Sequence, residues 1–419
     1  MDTNKICSLI DKKQEELFSL LSSLIKINSE SLGSFGNEAE CADYIQKLCI
    51  DLGLESEKYS PLDIENFKNH SDYLEGRNLE NRYNVTSRFK GSENTDSLML
   101  MAHIDTVGIG DRSNWKGEPL SGEIRDGKIF GRGACDDKYA IAAVLFIMRL
   151  LREEDFIPSK NLIFSAYCDE EYGGSHGALA SVLKYPCEHI VSLDGREKQI
   201  WHCASGGGEI RYRWHVKNPV SSAEITASVI PTVLDVIDDF AKNRRTELEN
   251  NRFYNGTVIP ETSLRILEVK AGNNGMDMDR GEVLFVYYTD KTREEIEKEL
   301  LTLNEAMRER LSPLGIVSDG FEPNTRFFHY AFCEPDSDDI KIMLEASREA
   351  TGKELLVCGS CLSDLSVISK FGSSRAFAFG AGREFNAEGG AHQPNEFIEC
   401  RSLVDYTKTI AAFILKILG

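Results

Sequence analysis

The stretch LMLMAHIDTV, residues 98–107, decides how the rest of the chain is read. Its apolar run, LMLMA, is of the kind that strands buried on both faces give, and it runs straight into His103 and Asp105. LIFSAY (162–167) and HIVSL (189–193) repeat the pattern, with helical spacing at Ala140–Leu151 and Gly177–Leu183 between them. That alternation predicts an α/β layer with a mostly parallel sheet. In such sheets ligands sit outside the carboxyl ends of the strands, and the three runs lead into His103, Asp169 and Asp194.

Working outward, Asp11–Leu24 and Glu40–Leu52 show helical spacing, and the polar stretch from Glu55 to Arg82 reads as loop or short helix. Past GGGEIRYRWHV (206–216) the texture changes. A long helical pattern runs to about Arg244, apolar runs follow at Leu264–Val269 and Val283–Tyr288, and another helix at Thr292–Leu311. This predicts an inserted α+β domain over residues 204–328. Helix Asp338–Ala350, the strand-like AFAFG (376–380) and helix Leu403–Leu418 return the chain to the first domain, which takes residues 1–203 and 329–419.

Composition narrows the function. At 419 residues and 41% hydrophobic content the chain can bury a sizeable core, while a net charge of -20 argues against nucleic acid or an anionic membrane as partner. The amino terminus is interrupted by charges and lacks the apolar centre of a signal peptide, and AIAAVLFIM (140–148) is too short to span a bilayer. Eleven scattered cysteines, an odd number, point to free thiols in a reducing cytoplasm. There the glycosylation-like triplets Asn84-Val-Thr and Asn255-Gly-Thr carry no meaning.

Five acids and two histidines make the chemistry. His103 and Asp105 lie two apart at a strand end and so share a face, which lets the carboxylate accept the second ring N–H of a metal-bound histidine. In GRGACDDKYA (131–140) Asp136 and Asp137 open a helix, and taken alone they cap it. CDEE (168–171) allows the same reading. Yet Asp136, Asp169, Glu170, Glu171 and Asp194 all belong to one sheet's strand ends. So many carboxylates repel unless cations compensate, and with His103 and His392 added the set suits two divalent ions such as zinc, with manganese or cobalt as alternatives.

In this order HIDTV, GRGACDDK, YCDEEYGG, SLDG and GAHQPNE resemble the di-zinc metallopeptidase family of acetylornithine deacetylase, succinyl-diaminopimelate desuccinylase, aminoacylase, carboxypeptidase G and the cytosolic dipeptidases. The resemblance covers essentially the whole chain and extends to HSDYLEGRNLENRYNVTSRFKG (70–91). It implies a zinc-peptidase catalytic domain with an inserted, ferredoxin-like lid and dimerisation domain, and a homodimer. It further implies that His103 and Asp194 bind one metal, Glu171 and His392 the other, and that Asp136 bridges them. Glu170 is implied as general base and Asp105 as the residue that orients His103. The implied substrate is a dipeptide, short peptide or N-acyl amino acid.

The sequence also departs from the family. Val220 stands in NPVSSAE where relatives carry a histidine that stabilises the oxyanion, and His215 and His329 are weak substitutes. Tyr139 replaces a glycine, with packing as its simplest role, and AGNNGMDMDRGE (271–282) leaves Asn274 and Arg280 unassigned. Aspartate at 194 leans slightly towards peptide substrates. Arg383 reads as a surface arginine within reach of a substrate carboxylate, CGSC (358–361) as a loop, GGG (206–208) as a hinge, and Cys135 and Cys168 as small apolar wall. Two alternatives stay open: an acetylornithine deacetylase-like deacylase, and a metal-binding homologue without catalysis.

Overall fold

A computed structural model describes residues 1–218, 220–251, 263–273 and 276–419; the Asn255-Gly-Thr triplet and Asn274 lie outside these. The described chain forms two compact units, one of Met1–His202, Phe332–Val357 and Val367–Gly419, the other of Cys203–Ala331 and Cys358–Ser366.

The first unit is organised on a sheet. From one edge its strands run Glu55–Tyr59, Asn84–Phe89, Asn161–Tyr167, Asp96–His103, His189–Ser192, Phe377–Phe379 and Gln199–Ala204, the last of which runs two residues past the unit's boundary at His202. The four strands from Asn161–Tyr167 to Phe377–Phe379 are mutually parallel, as expected from runs of Leu, Ile, Val and Met buried on both faces. Register places His103 opposite Tyr167 and Met101 opposite Ser192. The chain therefore leaves all three strands on one edge, and the residues that follow each strand meet there.

Helices cover the sheet. Lys138–Glu153 is buried almost all round and packs with Thr3–Ile25 and Cys400–Leu418, so its AIAAVLFIM segment fills the core of this unit. On the opposite edge the stretch expected to be loop or short helix contains a strand, Glu55–Tyr59, before two 3-10 turns. ESEKY carries too little apolar character to announce a strand; its antiparallel pairing with Asn84–Phe89 supplies what its side chains do not.

The second unit has an antiparallel sheet in the order Leu264–Asn273, Met276–Thr289, Gly206–Val216, Ile316–Pro323, with helices Ile230–Asn250 and Arg293–Leu311. Its fourth strand, IVSDGFEP, is not among the expected elements, because its hydrophobic alternation breaks at a bulge between Ser318 and Gly320. With that strand the order of elements is β-α-β-β-α-β, the ferredoxin-like arrangement. Trp214, Phe240, Phe285 and Met307 form its core. Helix Arg293–Leu311 begins at a capping box, in which Thr292 and Glu295 each accept the other's backbone N–H.

Two local readings are corrected. GGG is not a hinge but the start of the Gly206–Val216 strand, where Gly207 has φ +121° and a Cβ would stand 2.1 Å from the Tyr287 carbonyl oxygen. CGSC is not a loop: Cys358 to Ser360 end the strand Leu356–Ser360, and Cys358 is buried.

Candidate metal centre and active site

At the carboxyl edge of the parallel strands His103 is fully buried, and its ring is fixed at both nitrogens. Nδ1 lies 2.8 Å from the backbone oxygen of Asp105. A carbonyl only accepts, so Nδ1 carries the proton and Nε2 is turned, at 2.9 Å, to Asp136 Oδ1. The orienting group is thus the carbonyl of Asp105 and not its carboxylate, which stays 3.9 Å from Nδ1. That carboxylate instead accepts the backbone N–H groups of Glu170 and Glu171, each at 3.1 Å.

Asp136 holds a central place. Its second oxygen, Oδ2, is 3.2 Å from His392 Nε2, which in turn is 2.8 Å from Glu171 Oε2. Glu171 Oε1 accepts the Val107 N–H at 2.9 Å, so one carboxylate oxygen is anchored and the other faces the cluster. His103, Asp136 and Glu171 each offer a donor atom, all within 4.8 Å of one another. His392 reaches the cluster from a loop, with φ +64°.

Charge ties in the remaining members. Burial and then the negative charge of Asp136 push the Asp194 carboxyl up to about 7. Burial also raises Glu171, with Asp136 adding to it. Burial by itself would lower both histidines, but Asp136 outweighs it at His103, and Glu171 with Asp136 outweighs it at His392, which is pushed up to about 11. Glu170 contributes to the field that raises His103. Positive charge is therefore what this cluster demands, and histidine protons meet the demand where divalent cations would. The donor set, imidazole nitrogens among carboxylate oxygens, fits zinc chemistry.

The helix-capping readings do not describe these acids. The helix after Asp136 starts at Lys138, and Asp137 sits before it without a capping hydrogen bond; its Oδ2 accepts the His103 backbone N–H at 3.3 Å. After the CDEE stretch the next helix starts only at His176. Asp169 takes φ +64° and is fully buried, 2.5 Å from His176 Nδ1 and 2.7 Å from Arg82 Nη1. Burial opposes its ionisation, but Arg82 and His176 hold it below the usual carboxylate range. Gly174 follows for a steric reason: a Cβ there would meet Asp169 Oδ2 at 2.0 Å.

Several supporting residues carry no signal in the sequence. Glu396, inside the quoted HQPNE, accepts the Cys135 N–H at 2.9 Å and pairs with Arg132 at 2.6 Å. Arg132 also donates to the carbonyl oxygens of Gly108 and His392, so the pair ties the Asp136 turn to the His392 loop. Tyr139 is packed within the core as expected. Its hydroxyl is also engaged, donating to the Leu193 carbonyl and accepting the Ala381 N–H, both at 2.9 Å, and so braces the strand end that carries Asp194. Arg383 is half-buried, its guanidinium 4.1 Å above the Phe397 ring. In the second unit Val220 packs against the apolar core and His215 pairs with Asp319 at 2.8 Å, while His329 lies against Phe327.

Comparison with known proteins identifies the family and the fold. Residues 99–416 match the description "Peptidase family M20/M25/M40". A deformylase of Halalkalibacterium halodurans acting on N-formyl-4-amino-5-aminomethyl-2-methylpyrimidine is 25% identical over 97% of this chain and 95% of its own. Among solved structures, human carnosine dipeptidase 1 superposes with a TM-score of 0.73 at 16% identity, covering 99% of this chain and 98% of its own. A dinuclear metal-binding peptidase of Bacillus subtilis gives 0.59 at 15% identity, covering 97% and 99%. With the family match taking in most of the parallel strands, the acidic turns and the His392 loop, the chain belongs to peptidase family M20/M25/M40 and is a hydrolase of amide bonds.

Proposed function

We propose that this chain is a metal-dependent hydrolase that cleaves the C–N bond of a dipeptide, short peptide or N-acyl amino acid, with Glu170 as general base. The observation that supports it most is Asp136, whose two oxygens face His103 on one side and His392 on the other. His103 and Asp194 would hold one divalent ion, Glu171 and His392 a second, with Asp136 between them. Bound there, such ions lower the pKa of water towards 7 and polarise a carbonyl oxygen. Glu170 takes the proton of the attacking water and passes it to the departing amine. Asp105 holds the Glu170 and Glu171 backbone in place, which fixes the turn that carries the base and its neighbour.

Deacylation is the second reading, and the 25% identical deformylase over nearly the full chain favours it. A panel of dipeptides, tripeptides, N-acetyl and N-formyl amino acids and N-formyl aminomethyl heterocycles, each assayed with zinc, manganese or cobalt, separates the two. Hydrolysis confined to free-amine peptides supports the peptidase; hydrolysis confined to acylated amines supports the deacylase. Two bound metals with no turnover on any member would contradict both readings of the substrate.

We also propose a cytoplasmic homodimer. Its eleven cysteines are all unpaired, and no helix among the described residues is long and apolar enough to cross a membrane. Leu264–Asn273 is an edge strand with Ile266, Leu267 and Val269 exposed, a template for pairing with a second copy. Light scattering is expected to give twice the chain mass of 47.0 kDa, and Leu267→Lys to return it to one; a wild-type monomer at micromolar concentration would refute the dimer.

A further inference from the structure

Behind the carboxylate turn lies a buried ionic group whose centre, Arg82, has no part in the proposed chemistry. Arg82, fully buried, reaches three acids: Glu38 Oε1 from Nε at 2.7 Å, Asp169 Oδ1 from Nη1 at 2.7 Å, and Asp105 Oδ2 from Nη2 at 3.7 Å. It also donates to Ser31 Oγ at 3.2 Å. Asp105 follows the strand that ends in His103, and Asp169 follows the strand that ends in Tyr167. One guanidinium therefore spans two neighbouring strand ends, and the acids it holds adjoin Glu170 and Glu171.

The same turn is gripped from other sides. His176 Nε2 accepts the Leu74 N–H at 3.1 Å, so the proton of this histidine sits on Nδ1 and is given to Asp169 Oδ2. Arg77 lies 3.8 Å from Asp169 Oδ1 and donates to the carbonyl oxygens of Gly33 and Tyr172. Segment 70–82 thus supplies four separate contacts to residues 169–176. A buried ion group of this kind is a poor way to gain stability, since apolar side chains of equal volume do as well or better. What it does supply is a fixed direction for each carboxylate.

We propose that Arg82 is a positioning residue for the hydrolytic centre. Through Asp105 and Asp169 it sets the register between the strand end carrying His103 and the turn carrying Glu170 and Glu171. The inference rests on the proposed function above. Arg82 is fully buried and its partners are Glu38, Ser31, Asp105 and Asp169, none of them a proposed metal ligand or the proposed base. Its effect passes through the Asp105 carboxylate, which accepts the N–H groups of Glu170 and Glu171, and through Asp169, whose left-handed backbone starts the turn. Displacement of about 1 Å at such a site costs on the order of 100-fold in rate.

The test uses the full-length protein and the variants Arg82→Lys and Asp169→Asn, the second being nearly isosteric and keeping Arg82. Affinity for zinc, the absorption spectrum of the cobalt-loaded protein, kcat and KM are measured well below the melting temperature of each variant. Expected is zinc affinity weakened about 10–100-fold and an altered cobalt spectrum. With these goes a kcat lowered by roughly the same factor at a KM changed less than about threefold. Wild-type zinc affinity, spectrum and kcat in folded variants whose only change is a lower melting temperature would overturn the proposal. So would failure of both variants to fold, which would assign the group to stability. Zinc affinity and the cobalt spectrum need no turnover, so they test Arg82 even if wild-type protein cleaves none of the panel, an outcome that counts against the proposed reaction alone.

Discussion

Glu170→Gln is expected to lower kcat by roughly 10²–10⁴-fold while metal content stays at the wild-type level. The substitution keeps the size of the side chain and its backbone N–H, which donates to Asp105, so the turn remains in place. It removes only the group that accepts a proton. KM is expected to change little, because a base acts in the transition state more than in the bound ground state. Single-turnover hydrolysis of the best panel substrate, with metal analysis of the same sample, checks both parts. A variant within threefold or so of wild type in kcat would exclude Glu170 as the base, given the magnitude general bases contribute.

Metal removal is expected to have the second large effect, on stability as well as activity. Burial forces Asp136, Glu171 and Asp194 together, and in stripped protein protons must supply the missing positive charge. At free metal about 100-fold above its dissociation constant, binding adds about 2.7 kcal/mol per site. Chelation should therefore lower the melting temperature by several degrees, and zinc should restore it. His392→Ala should lose most of that restoration.

The pH dependence has a definite sign. Asp194 is held at about 7 and His392 at about 11, both above their ordinary values, so the stripped fold binds these protons more tightly than the unfolded chain does. Their stabilisation is full at low pH: that of Asp194 is lost as pH rises through the carboxylate range to about 7, and that of His392 from the ordinary histidine value upwards. Metal must displace the same protons, so its affinity is expected to rise from pH 6 to pH 8 with protons released on binding. Calorimetry in two buffers of different ionisation heat measures that release; a pH-independent affinity would contradict the proposed ligand set.

How much of this is open to a reader of the sequence follows from what kind of signal each part carries. Buried parallel strands announce themselves because both faces must be apolar, so LMLMA and LIFSAY are legible one at a time. ESEKY and IVSDGFEP are not: an edge strand or a bulged one takes its stability from a partner's backbone, and its own side chains need not show it. GGG misleads for the opposite reason, since glycine serves flexibility and close approach alike and only the neighbouring Tyr287 carbonyl shows which applies.

At the centre the same division holds. Strand-end position is enough to single out His103, Asp169 and Asp194, because the direction of the chain at the end of a parallel strand is set by the sheet, while the choice of Glu170 and Glu171 over Asp169 rests on the family resemblance. Which atom of Asp105 faces the imidazole, whether Asp169 caps a helix or pairs with Arg82, and what Glu396 and Tyr139 hold cannot be read from spacing. The choice at Asp105 is between two atoms of one residue, and the other contacts join residues tens to hundreds of positions apart, of whose distance in space sequence carries no record. The order of the acids and histidines proposed for the centre was thus set by the sequence alone, and their proposed roles by its resemblance to a family. The hydrogen-bond partners that aim them were decided only by tertiary packing, since a carboxylate's direction depends on which buried donors surround it.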